Sequence, residues 1–335
     1  MGPIGSISPS GEGRLKGFLD IQISDRPSAD IALDIMEYGM GCMRDPSRAH
    51  KTQTDLFENR TRLSVRFVAT NEMVPYLEYS LPNGLNIEAV MPVWFAGESS
   101  SVVYFGHNDK TRQPSEARTK RNTEVIRDVF LPERQLKEVT TAIRQVRSNG
   151  YEIDAFTGDR MHSFCAKTGT SINAISHLME VTFGYGSRSA RNVLTNPGNI
   201  ISVARKGGLV VGMCAVEMSG LAIDGHSLKI AELTDVVVAS GQHGESYSNY
   251  NGSNLSFAIT SHALTMPELH SFNVFGEYTL RHPAAPRSAM AQGHKLAGML
   301  PEHAMIENEP ATLAVLYIER EDLAKLRQSI LGVIR

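Results

Sequence analysis

The sequence predicts an α/β (α+β) protein in two units, and three observations carry that reading. At 335 residues the chain exceeds one typical domain, so two compact units, each large enough to bury a core, are expected. Strand-like alternation and helix-like spacing succeed one another from Phe18 to the end of the chain. A helix ending at Gly150 then offers a natural division. The expected layout is a flexible N-terminus over 1–17, an N-terminal α/β domain over 18–150 and a second domain over 151–335.

In the first unit, Phe18 to Ser24 alternates as a strand, and Ser28 caps a helix running to Tyr38. Residues 45–59 are polar and read as a loop or short helix. Strands are expected from Arg62 to Ala69, from Leu85 to Phe95 and from Ser101 to Phe105, with a helix from Glu72 to Tyr79 despite Pro75. From His107 to Arg121 the run holds Lys110, Arg112, Arg118, Lys120 and Arg121 with almost nothing apolar, which reads as a solvated loop. A helix follows from Pro132 to Asn149, with Leu136, Val139, Ile143 and Val146 spaced by 3, 4 and 3.

The second unit opens with a strand from Tyr151 to Phe156 and an amphipathic helix from Ser171 to Phe183. Another helical turn is expected from Ala190 to Leu194. Strands at 200–205 and 209–218 flank Gly207-Gly208, the strongest hairpin signal in the chain. Later elements are a strand from Phe272 to Leu280, a short helix from Arg287 to His294, a strand from Thr312 to Glu319 and a terminal helix from Asp322 to Leu331.

Composition limits the function. Lys plus Arg total 33 against 36 for Asp plus Glu, a net charge of −3, so nothing electrostatic favours nucleic acid or an anionic membrane. No run of 18 apolar residues exists, and residues 1–17 lack the apolar centre of a signal peptide. Cys42, Cys165 and Cys214 are far apart, with no Cys/His cluster at metal spacing. Reduced thiols in a cytoplasmic protein, no metal and a small-molecule partner are therefore expected.

One stretch suggests a ligand. From Ile230 to Val238 the residues are apolar or β-branched except Glu232 and Asp235, so a strand there carries two carboxylates that it must satisfy or use. A Gly/Ser-rich turn and a helix from Asn249 follow, and the N–H groups of such a turn can cradle an anion. An ordinary capped connection is the plainer alternative. Glu232 and Asp235 are three residues apart, so a regular strand points them to opposite faces unless a bulge intervenes.

The order of elements in 151–320 resembles the GNAT superfamily of acyl-CoA-dependent N-acyltransferases. Two motifs look closest to the branch containing the β-lysine N-acetyltransferases. Ala231-Glu-Leu-Thr-Asp235 has the Ala-Glu-x-Thr-Asp form of that branch's fourth strand. Gly293-His-Lys-Leu-Ala-Gly-Met-Leu300 has the form Gly-aromatic-Lys-x-x-Gly-x-Leu. The resemblance implies a mixed, mostly antiparallel sheet flanked by helices, with acetyl-CoA or another acyl-CoA as co-substrate and no metal. The implied acceptor is the primary amine of an amino-acid-like small molecule.

It also implies roles for single residues. Glu232 would be the base that keeps the amine neutral, a real demand for an amine of pKa about 10.4. Asp235 would orient substrate or serve the structure. Backbone N–H groups near Val236, Val237 and Val238 would face the thioester oxygen and the pantetheine arm, and Gly241, Gln242, His243, Gly244, Glu245 and Ser246 would hold the pyrophosphate. Tyr278 and His294 are the candidates for assisting the leaving thiolate, since Ala289 and Ala291 stand where many members carry a Tyr. Of the family's loop signature only Gly244 is kept. Two other readings follow: a non-catalytic acyl-CoA sensor or scaffold, and an acyltransferase fed by a carrier-protein thioester. For the first unit, a share of the acceptor cleft, a second copy of the fold and a homodimer contact all remain open.

Overall fold

The computed structural model describes residues 6–8, 18–22, 26–51, 54–130, 136–183, 186–239, 251–306 and 309–334. The first half supplies strands β1 (Ser6–Ser8), β2 (Phe18–Gln22), β3 (Arg62–Thr70), β4 (Asn86–Phe95) and β5 (Glu98–Asn108). Its helices are α1 (Ala29–Arg44), α2 (Thr54–Phe57), α3 (Met73–Ser80), α4 (Glu116–Phe130) and α5 (Leu136–Ser148). The second half opens with β6 (Tyr151–Thr157), α6 (Met161–Thr168), α7 (Ile172–Phe183) and α8 (Ser187–Thr195). It continues through β7 (Asn199–Lys206), β8 (Leu209–Ile223), β9 (His226–Val238), α9 (Asn251–Leu264), β10 (Asn273–Thr279) and α10 (Ala284–Ala291). β11 (Lys295–Ile306), β12 (Glu309–Ile318) and α11 (Arg320–Ile334) complete it.

All these strands belong to one sheet, in the order β1-β2-β3-β5-β4-β11-β12-β10-β9-β8-β7-β6. Its pairings are antiparallel except β2 with β3 and β9 with β10. The expected mixed, mostly antiparallel sheet flanked by helices is therefore observed.

Local chemistry explains most element boundaries. Ser28 caps α1, its Oγ accepting from the Ile31 N–H at 3.4 Å, and Ala32, Ile35, Met36 and Met40 make its buried stripe. Gly207 and Gly208 both take positive φ, 56° and 79°, as a two-residue hairpin turn requires. The helix expected around Leu136, Val139, Ile143 and Val146 is α5, which packs with α9, α11 and the sheet.

The basic run at 107–121 departs from the expected loop. A short 3-10 turn at Lys110–Arg112 leads into α4, which begins at Glu116. Lys110, Lys120 and Arg121 are solvent-exposed, but Arg112 is buried and donates to the Glu302 carbonyl at 3.2 Å, and Arg118 pairs with the Glu302 carboxylate at 3.4 Å. Two of the five cations thus answer a buried acid almost two hundred residues away. Strand β11 was not anticipated, because bulges near Ala297 and between Leu300 and Ala304 break its alternation. Helix α6 also escaped the periodicity reading.

The halves meet at β4 and β11, where Ala89 pairs with Gly298. A Cβ on Gly298 would lie 2.1 Å from the Glu88 carbonyl oxygen and 2.5 Å from the Ala89 Cα, so this approach admits only glycine. Beside it the buried Arg62 bridges three other strands: it pairs with Glu88 at 2.5 Å, donates to the Asn108 side chain at 2.9 Å and meets His303 Nδ1 at 3.0 Å. One apolar cluster also spans the join, with Met91, Phe95 and Tyr104 from the first half against Leu228, Phe275 and Leu300 from the second. At one end of this cluster the Asn273 side chain accepts from the Trp94 N–H at 2.9 Å and donates to the Trp94 carbonyl at 3.2 Å.

Candidate active site

Strands β9 and β10 are where the sheet opens. They pair in parallel over only Ile230–Glu232 and Asn273–Phe275. Beyond that point β9 stays with β8 as far as Val238, and β10 stays with β12 as far as Thr279. Each strand is held by its outer neighbour while the two lose one another. The result is a split with unpaired backbone edges, which begins at Glu232.

The register of β9 shifts within the split. Met213 of β8 faces Val237, but Ala215 faces Thr234, so three steps along β9 match two along β8. Burial records the change of face: Ala231 and Leu233 join the core under α9, and after the bulge Val236 packs there while Val237 turns to the core under α6–α8. The premise that put Glu232 and Asp235 on opposite faces therefore does not hold for this strand. The side chain of Asp235 lies outside the described residues.

A cleft opens on each face of the split. On the helical face, Leu233 and Val236 of β9, Tyr278 of β10, Ser256 and Thr260 of α9, and Ser288 with Gln292 around α10 line a narrow cleft. Gly276 keeps it open: a Cβ there would meet the Tyr278 ring at 2.8 Å and the Leu233 carbonyl oxygen at 2.9 Å. Gln292 ties α10 to α9, its Nε2 donating to Thr260 Oγ1 at 2.6 Å and Ser261 Oγ at 2.9 Å. Its Oε1 has no hydrogen-bond partner, and neither do Ser288 Oγ, the Tyr278 hydroxyl or His294 Nε2, all buried. Three of these atoms, on Gln292, Ser288 and Tyr278, belong to residues that line the cleft and suit it to a ligand that carries donors and acceptors; His294 is not among the lining residues.

On the opposite face a second cleft lies between the two halves of the chain. Leu228 and Ile230 of β9 and Phe275 of β10 form its floor, and Met91, Val102 and Tyr104 come from the first half. Glu232 is the next residue of β9 on that face and pairs with Phe275; it is half-buried. Its charge acts on both the Tyr278 phenol and the Tyr104 phenol, so it is within electrostatic reach of both clefts.

Tyr278 and His294 sit together, rings edge to face at 6.5 Å. Burial raises the Tyr278 phenol well above its ordinary range, with smaller contributions from Cys214 and Glu232, so it keeps its proton. Burial lowers the His294 imidazole to about 4. Its Nδ1 lies 3.0 Å from the Ala289 carbonyl oxygen, which can only accept, so Nδ1 carries the proton and Nε2 is a bare acceptor. At neutral pH, then, Tyr278 holds a proton to donate and His294 Nε2 does not.

The expected anion cradle, Gly241, Gln242, His243, Gly244, Glu245 and Ser246, falls outside the described residues. Helix α9, which follows it, is anchored by Leu255, Ala258, Ile259 and Ala263. Cys214 is buried, its Sγ 3.8 Å from the Ile259 carbonyl oxygen. Periodicity passed over Ser256, Thr260, Gly276, Ser288 and Gln292, because small and polar residues on short elements carry no signal until a cleft collects them. Among the described residues no cluster of three metal-ligating side chains occurs, and no helix is long and apolar enough to cross a membrane.

About half of the chain is similar to solved structures of N-acetyltransferases. One is an N-acetyltransferase from Staphylococcus aureus Mu50, at 12% identity over 51% of this chain and 98% of that one, with a TM-score of 0.33. Others are the ribosomal-protein-S18-alanine N-acetyltransferase from Escherichia coli, at 12% identity over 50% and 92% with a TM-score of 0.36, and Arabidopsis thaliana NAA60 in complex with acetyl-CoA, at 9% identity over 50% and 97% with a TM-score of 0.35. No protein-family model and no curated protein matches the sequence.

Proposed function

We propose that this protein is a GNAT-type N-acyltransferase that moves an acyl group, acetyl in the first instance, from acyl-CoA to the primary amine of an amino-acid-like small molecule. The observation that carries this reading is the split between β9 and β10, with Glu232 at its apex and a cleft on each face. A transfer between two bound molecules needs such an aperture, because donor and acceptor must meet at one point from two sides.

The helical-face cleft fits the donor. A pantetheine arm is narrow and carries alternating amide donors and acceptors, and the orphaned atoms of Ser288, Gln292 and Tyr278 are suited to meet them. When bound, the thioester supplies an activated acyl carbon. The unpaired edge of β9 around Val236 offers backbone N–H groups for the carbonyl oxygen, as oxyanion stabilisation requires. Glu232 takes the proton of the attacking ammonium, directly or through water, and Tyr278 offers its hydroxyl to the departing sulfur. Residues 241–246 hold the pyrophosphate in this reading, and Asp235 orients the acceptor.

The test measures thiol release from acetyl-CoA with a panel of amino acids and amines, beside acyl-CoA binding by calorimetry. Glu232→Gln is expected to retain acyl-CoA binding and lose roughly 10²- to 10⁴-fold in turnover. Tight acyl-CoA binding with no turnover for any amine would point instead to a sensor. Turnover with a carrier-protein thioester alone would reassign the donor.

A further inference from the structure

The second cleft says more about the acceptor than an amine panel alone. Apart from Arg66 and Tyr104, its lining is entirely apolar, the chemistry of a site for an apolar ligand body. Along β9 the cleft face reads Leu228, Ile230, Glu232, and along β10 it reads Phe275, Glu277. An apolar floor thus runs into two carboxylates at the mouth of the split.

The first half builds the facing wall. Strand registers align Arg66, Tyr104, Ala89, Gly298, Val315 and Glu277 in one row across six strands, so these residues share a face. Ala89 and Gly298, next to Tyr104 in the row, are small, which leaves the space over them to the Tyr104 ring. Tyr104 is buried and stands in the row between Arg66, whose guanidinium lies 5.7 Å from its ring centroid, and Glu277. Burial is the main cause that raises the Tyr104 phenol; the charges of Glu277 and Glu232 add to it, and Arg66 beside the ring opposes it.

We infer that the acceptor is a primary amine carried on an apolar body, its ammonium at Glu232 and Glu277 and its body against a wall that the first half of the chain supplies. This rests on the acyltransferase reading for the word acceptor, but the cleft and its charge pattern stand independently of it. Polyamines and other multiply charged amines are excluded by the same wall, because a second ammonium would have to be desolvated against Met91 and Val102.

A homologous series of n-alkylamines from propyl to heptyl tests this on the full chain. KM is expected to fall roughly fourfold per methylene until the cleft is filled, the ratio that methylene burial implies. 1,4-Diaminobutane should be a poor acceptor. Val102→Phe, which fills the first-half wall, should shorten the longest amine accepted, and the nearly isosteric Val102→Thr should flatten the chain-length dependence if the larger side chain is not tolerated. Neither should change acyl-CoA affinity. A KM independent of chain length, or a preference for the diamine, overturns the apolar site while leaving the acyltransferase reading intact. Conversely, calorimetric binding of n-hexylamine that Val102→Phe weakens, without thiol release for any amine, keeps the apolar amine site and overturns the acyltransferase reading.

Discussion

At the scale of single residues, protonation separates two neighbours that look interchangeable in the sequence. Tyr278 and His294 share one buried corner, yet burial leaves the phenol protonated and the imidazole neutral, with its proton on Nδ1 and none on Nε2 to donate. Tyr278→Phe is expected to lower turnover by roughly fivefold to tenfold, the worth of one neutral hydrogen bond of about 1 kcal/mol, without lowering the melting temperature, because the hydroxyl has no partner in the fold. His294 makes a different prediction. Its folded pKa of about 4 lies below the unfolded value near 6.5, so the unfolded chain binds more protons and stability falls as pH drops from about 6.5 to about 4. The loss is on the order of 3 kcal/mol by that linkage. His262 and His303, also lowered by burial, act in the same direction, whereas Glu88 and Glu302, raised by burial, oppose it. Denaturant titrations at pH 7 and pH 5 should show a smaller difference for His294→Asn than for the unaltered protein.

At the scale of elements, the site is a failure of pairing that its neighbours enforce. β9 and β10 could continue their ladder only if one of them left its outer partner, and both outer ladders are longer than the three pairs they share. Gly276 keeps the helical face of the gap clear. Gly276→Ala places a methyl group 2.9 Å from the Leu233 carbonyl oxygen and against the Tyr278 ring, so acyl-CoA binding should be lost. Its effect on stability should stay within the roughly 1–3 kcal/mol of an overpacked position. Calorimetry with acyl-CoA and a thermal melt read the two effects separately. The bulge in β9 matters as much, since it turns Val236 toward the cleft and Val237 away from it. Of the three valines expected at the donor, Val236 lines the cleft and Val237 is core.

At the scale of the whole molecule, one sheet joins the halves, and the second cleft exists only between them. Gly298 is the tightest point of that join. Gly298→Ala drives a methyl group into the Glu88–Ala89 backbone, which cannot move aside as a side chain can. A loss at or beyond the upper end of about 1–3 kcal/mol is expected, with the whole sheet destabilised in one transition. Separate melting of the two halves in calorimetry would contradict the continuous sheet. Arg62 adds to the coupling: it is buried among Glu88, Asn108 and His303, so its removal would strand a buried carboxylate.

Local patterns in the sequence by themselves determined most elements of this protein. The Ser28 cap, the Gly207-Gly208 turn, the Leu136 to Val146 stripe and the carboxylate-bearing strand are short-range signals, and the elements they predict are present. The same patterns were silent or misleading wherever the partner is distant. Arg112 and Arg118 read as solvated because Glu302 is far along the chain, and β11 read as no strand because its bulges accommodate β4 and β12. Tertiary structure alone decided that β9 slips by one residue, that β9 and β10 part at Glu232, and that the first half walls a cleft on the far side. The reason is physical: periodicity reports which face of an element is buried, whereas register, bulges and splits depend on which strand lies alongside, and that is settled only when residues remote in sequence pack together.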